Sequence, residues 1–116
     1  MINGYTEHFL DTGWYMESTL YYKGYIYWCE ASTDPNTNVT HFFVDRWKAT
    51  TSDNILYNEY HKDSRIVDYS EVYKDYNEDM DVIKKKFLEA PIFDGKTFWQ
   101  VENEIAWLDE GMPIEV

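Results

Sequence analysis

GWYMESTLYYKGYIYWCEAST, residues 13–33, crowds aromatic side chains around a single Lys-Gly pair. Two residues, Lys23 and Gly24, separate Tyr22 from Tyr25. That spacing predicts a two-residue hairpin loop, in which glycine takes up a positive φ and lysine is a poorer choice than Asn or Asp at the first position. The loop then sets the pairing: Tyr22 faces Tyr25, Leu20 faces Tyr27, Ser18 faces Cys29 and Met16 faces Ala31. Because side chains alternate across a strand, these pairs share one side of the sheet, which reads as the buried one. Tyr21 with Ile26, Thr19 with Trp28 and Glu17 with Glu30 occupy the other side, which reads as outward-facing. A contact surface on that side would include Tyr15, Tyr21 and Trp28.

Working outward, the polar turn STDPNTN leads to a third strand, VTHFFVDRWK at about residues 39–48. ILYNEYH at residues 55–61 reads as a fourth. RIVDY at residues 65–69 fits either a short fifth strand or the approach to a helix. Beyond Ser70 the apolar period changes to three and four. Val72, Tyr76, Met80, Ile83 and Phe87 line up with Ser70 as N-cap and Pro91 past the end. Phe98, Val101, Ile105 and Leu108 form a second stripe, opened by a Thr97/Gln100 capping box and closed by Gly111. The predicted fold class is α+β: an antiparallel β-meander of about four strands, residues 14–61, followed by two helices, residues 70–89 and 97–110, packed on one face of the sheet. A chain of 116 residues suits one domain.

Composition narrows the function. Five Trp, eleven Tyr and six Phe supply large buried areas at low rotamer cost, enough to build a core in a small chain. The net charge of −12 opposes direct binding to nucleic acid or to anionic membranes. No apolar run reaches membrane-spanning length, the start MINGYTEHFLDTG lacks the basic and apolar regions of a secretory signal, and the lone Cys29 has no internal disulfide partner. A cytoplasmic location is the expectation. Nucleophile elbow, phosphate-cradling loop and zinc-protease motifs are missing, so no catalytic, cofactor-binding or metal-binding residue is assigned and the chain is read as non-catalytic.

Three features compete as functional sites. Glu17, Glu30 and, through the third strand, His41 would form an acid, acid and imidazole row beside Trp28, suited to acid–base chemistry or a small ligand. DYSEVYKDYNEDMD, residues 68–81, holds six acids and one lysine ahead of Lys84, Lys85 and Lys86. On a helix this order complements the macrodipole. The same acids, with Glu102, Glu104, Asp109 and Glu110, would imitate phosphate spacing and occupy a basic cleft on a partner. Third, Trp28, Trp99 and Trp107 are candidate anchors for a partner or for a second copy of the chain. The leading expectation is a small acidic interaction or accessory domain that binds a protein partner, possessing a basic surface, through Trp28, Asp68, Glu71, Asp75, Glu78, Asp79, Trp99 and Trp107. A nucleic-acid-mimicking inhibitor is the first alternative, and a ligand binder or enzyme using Glu17, Glu30 and His41 is the second.

Overall fold

Lys23 and Gly24 both lie in the left-handed region, at φ 46° and 85°. This is the conformation that a two-residue reversal matched to strand twist demands. The computed structural model describes residues 10, 18–48 and 67–108. The reversal joins β1 (Thr19–Tyr22) to β2 (Tyr25–Thr33), with Thr19 opposite Trp28, Leu20 opposite Tyr27, Tyr21 opposite Ile26 and Tyr22 opposite Tyr25. The backbone N–H of Cys29 donates to the Ser18 carbonyl and continues the same register. These pairings agree with those expected from the hairpin; Met16, Glu17 and Tyr15 lie outside the described residues.

A polar turn carries β2 into β3 (Thr40–Lys48), which pairs with it antiparallel. In that turn the Asp34 side chain accepts from the Asn36 N–H, Asn38 donates its N–H to the Asp34 carbonyl, and the Thr33 and Thr40 hydroxyls meet at 2.8 Å. Next in the described chain is β4 (Val67–Asn77), antiparallel to β3. Then come helix α1 (Met80–Glu89), a single helical turn α2 (Phe98–Val101), a 3₁₀ turn (Glu102–Glu104) and β5 (Ala106–Leu108). β5 returns to the free edge of β1, giving the order β4-β3-β2-β1-β5 with every pairing antiparallel. The architecture is an α+β meander with helices against the sheet.

Several elements differ from expectation. Residues 67–77 are a strand, so the predicted helix over residues 70–89 shortens to Met80–Glu89, capped by Asp79, not Ser70, with the Asp79 carboxylate accepting from the Asp81 N–H. The cause is visible in the ladder. Register shifts at Val44/Asp45 and Arg46/Lys48 insert extra residues into β4, Val72 at the first of them, so the period of two that marks a strand is broken and the Val72–Tyr76 spacing of four reads as helical while belonging to a bulged strand. The last predicted helix, over residues 97–110, also ends early. Its capping box forms as expected, with Thr97 N–H donating to Gln100 Oε1 and Gln100 N–H to Thr97 Oγ1. After Glu104 the chain extends again and satisfies the edge of β1, which would otherwise present unpaired backbone groups. The predicted strand over residues 55–61 and the stop at Gly111 lie outside the described residues.

The core lies between one sheet face and the helices. Leu20, Tyr22, Tyr27, Cys29, Phe42 and Val44 from the sheet meet Ile83, Phe87, Phe93, Phe98, Val101 and Ile105, all at most 2% exposed. Phe87 is the hub: its ring centroid is 5.2 Å from Phe42, 6.2 Å from Tyr73, 6.5 Å from Phe93 and 6.3 Å from Phe98. Phe93 extends the cluster to Tyr27 at 4.8 Å and Tyr22 at 6.1 Å. The edge-to-face pairs among these, Phe87 with Phe42, Tyr73 and Phe93, and Phe93 with Tyr22, contribute roughly 0.5–1.5 kcal/mol each beyond the area they bury. Phe93 is held by a second tight reversal, Asp94 and Gly95 at φ 56° and 79°, where Phe93 and Lys96 exchange backbone hydrogen bonds of 3.0 and 3.1 Å.

The opposite sheet face corrects the expectation of an outward surface. Ile26 and Trp47 are fully buried there, Asp45 is 1% exposed, and Trp28 is half-buried with its ring 6.1 Å from that of Trp47. The far half of the face is more open, with Glu30, Ser32, His41, Lys74 and Tyr76 exposed.

The hairpin geometry yields a stability prediction. A Cβ on Gly24 meets no atom within 4 Å, so Gly24→Ala loses about 1 kcal/mol through its positive φ alone. Lys23→Asn, better suited to the left-handed region, gains roughly 0.5 kcal/mol. Urea denaturation reads both, and equal stability for parent and Gly24→Ala would count against this turn.

Candidate functional site

At Arg46, alternation brings several polar groups to the same side of the sheet. In the β2–β3 ladder Arg46 faces Tyr27, and Tyr25 is the neighbouring residue on that side. The guanidinium carbon is 4.3 Å from the centre of the Tyr25 ring, and the guanidinium is near enough to the Tyr27 hydroxyl to oppose the rise in its pKa. The two reversals meet here as well. Tyr22, Lys23, Tyr25, Tyr27, Arg46 and Asp94 line a cavity of about 110 Å³. Arg46 and Asp94 are shared with an open groove of about 500 Å³, whose apolar wall is Val72, Ala90, Pro91 and Ile92.

Electrostatically this is an unusual place in an acidic chain. Arg46 is half-buried and makes no ion pair among the described residues; its Nε and the Tyr22 hydroxyl are both buried without a hydrogen-bond partner. Burial raises the pKa of Tyr27 above the ordinary phenol value, Arg46 opposes the rise through its hydrogen bond and charge, and the Asp94 carboxylate adds to it. Along the groove, burial pushes Tyr73 up to about 12, with a further contribution from Asp75, and the Tyr73 hydroxyl is also buried without a partner. Burial, followed by repulsion from Asp45, raises the Cys29 thiol, which suits a packed core residue better than a nucleophile.

The sequence candidates are placed differently. Glu30 faces Phe43 and His41 faces Ser32, so the expected Glu30–His41 pairing is offset by two residues, and the His41 ring lies 4.3 Å from Tyr76. Glu17 lies outside the described residues. Among the described residues no three His, Cys, Asp or Glu side chains gather closely enough to hold a metal ion.

The expected helical strip of acids does not form. Asp68, Glu71 and Asp75 belong to β4, while Glu78 and Asp79 lie in the bend before α1. Asp68 accepts from the Tyr25 hydroxyl at 3.5 Å, and Glu71 approaches Lys74 at 3.9 Å. Asp75, only 7% exposed, accepts from Lys86 Nζ at 3.0 Å and from the Tyr76 N–H, tying α1 to β4 and removing this residue from the outer surface. Glu78 and Asp79 are exposed. Trp99 is 49% exposed with its ring edge-on to Phe98, and Trp107 stands opposite Leu20 in β5, its side chain outside what is described. Around the bend, Tyr76, Met80 and Val82 are 56%, 37% and 38% exposed, alternating with exposed Glu78, Asp79 and Asp81. No helix among the described residues is long and apolar enough to cross a membrane. No family model, curated protein or solved structure matches the chain.

Tyr73 carries a pH prediction. Its folded pKa is raised, so the unfolded chain gives up this proton first: the contribution is intact below pH 10 and is lost as pH rises toward 12. Stability measured by urea from pH 9 to 12 should fall less steeply in Tyr73→Phe than in the parent. Parallel slopes would show that Tyr73 titrates as an ordinary phenol.

Proposed function

We propose that the chain is a small acidic interaction domain without catalytic activity, working in the cytoplasm and docking a protein partner at the corner between β4 and α1. The observation that carries this reading is the stretch from Tyr76 to Val82, where three exposed apolar side chains alternate with three exposed carboxylates. Apolar contacts at the centre of a patch supply binding energy, and a charged rim supplies orientation and partner choice. His41, packed against Tyr76, extends the surface onto the open half of the sheet. The overall charge of −12 selects a partner with a basic surface. The nucleic-acid mimic draws less support, because its regular helical ridge of acids is replaced by a strand in which Asp75 turns inward.

The test compares the parent with a Tyr76→Ala/Val82→Ser double variant, both immobilised and exposed to extract of the native host. A specific protein retained by the parent at low salt, released as ionic strength rises and lost in the variant, supports the reading. Equal retention by the two, or no retention at all, contradicts it. Self-association of the parent that the variant abolishes would make a second copy the occupant in place of a basic partner.

A further inference from the structure

An acidic protein that leaves a half-buried guanidinium without an ion pair among the described residues calls for an explanation. Burial of an unneutralised charge is costly, and twenty-two acids are available in this chain to offset it. Instead, Arg46 is held by ring and hydroxyl contacts with Tyr25 and Tyr27. Its Nε and the Tyr22 hydroxyl remain without partners where both residues line one cavity. Tyr22 is 1% exposed, so bulk water does not satisfy its hydroxyl. A planar guanidinium beside a phenol donor is suited to an oxygen anion.

The surroundings restrict which anion. A single Arg, a flexible Lys23 at the rim and a nearby Asp94 give a field for one negative charge, and the net charge of −12 repels polyanions. The cavity volume of about 110 Å³ suits a small head group. The groove that shares Arg46 continues along the apolar wall of Val72, Ala90, Pro91 and Ile92. We propose that this pocket binds a small organic carboxylate, its head on Arg46 and the Tyr22 hydroxyl and its apolar body in the groove. The site is separate from the β4–α1 corner and does not depend on it.

Phenylacetate and hexanoate are the probes, with 2-phenylethanol, inorganic phosphate and a short peptide ending in a free valine carboxylate as comparisons. Nitrogen-15 NMR follows the Arg46 Nε–H and the amides of Lys23, Tyr25 and Gly95. The expected result is saturable movement of these signals with both carboxylates and little with the alcohol or phosphate. Arg46→Gln abolishes the response. Tyr22→Phe, which removes a buried hydroxyl that has no partner in the free protein, keeps or raises stability while weakening binding ~3- to 10-fold. This divergence separates a ligand-binding hydroxyl from a packing residue. Asp94→Asn tightens binding by removing a competing charge. No response to either carboxylate, an equal response to the alcohol, or unchanged affinity in Tyr22→Phe overturns the proposal. Binding of the peptide alone would also overturn it, assigning the pocket to a chain terminus.

Discussion

The left-handed pair at Lys23 and Gly24 is the constraint on which the remaining structure depends. A strand distributes its side chains with a period of two, so a one-residue slip at this reversal would exchange the two faces of β2. The observed register sends Leu20, Tyr22, Tyr27 and Cys29 to the helix-covered side. It sends Ile26 to the other, where it is buried opposite Trp47. Both faces carry large apolar residues, so a slipped register is opposed from two sides. β3 inherits the alternation, which places Phe42 and Val44 beneath α1 and brings Arg46 alongside Tyr27.

Aromatic packing then fastens short helices to this sheet. α1 has ten residues and α2 only four, lengths that are marginal without tertiary support. Phe87, Phe93 and Phe98 pack against one another and reach Tyr22, Tyr27, Phe42 and Tyr73 on the strands. The Lys86–Asp75 contact adds a polar tie between α1 and β4. Both tight reversals, at Lys23-Gly24 and Asp94-Gly95, approach the Arg46 cavity, so the backbone geometry that sets the fold also builds the walls of this pocket. The proposed interaction surface lies elsewhere, at the bend where β4 gives way to α1.

The hairpin was legible because a Lys-Gly pair between two aromatic runs is a two-residue turn signal, and a loop of that length leaves a single register. The Thr97/Gln100 box was legible because it is a local contact between neighbours in sequence. β4 was not, since its bulges break the period of two and leave Val72 and Tyr76 spaced as a helix would space them. β5 has three residues after an acidic 3₁₀ turn, and only the open edge of β1 gives them a reason to extend. Asp94-Gly95 was a readable turn signal, but no long strands flank it to mark it as a hairpin. The Arg46 pocket draws on separated segments and has no diagnostic spacing. Its one early clue is that Arg46 shares the face of Tyr25 and Tyr27 under the same alternation. The expected Glu30–His41 pairing failed for a related reason: parity placed the two on one face, while the turn length set them two residues apart.

The most direct test of the central claim is a through-space proton NMR measurement across the first hairpin. In an antiparallel ladder the α-protons of residues facing each other in non-hydrogen-bonded pairs lie closest together. The structure predicts strong cross-peaks between the α-protons of Tyr21 and Ile26 and of Thr19 and Trp28. Cross-peaks linking Leu20 with Ile26 in their place would show a register shifted by one residue. The assignment of the two faces, and with it the placement of Arg46, would then be contradicted.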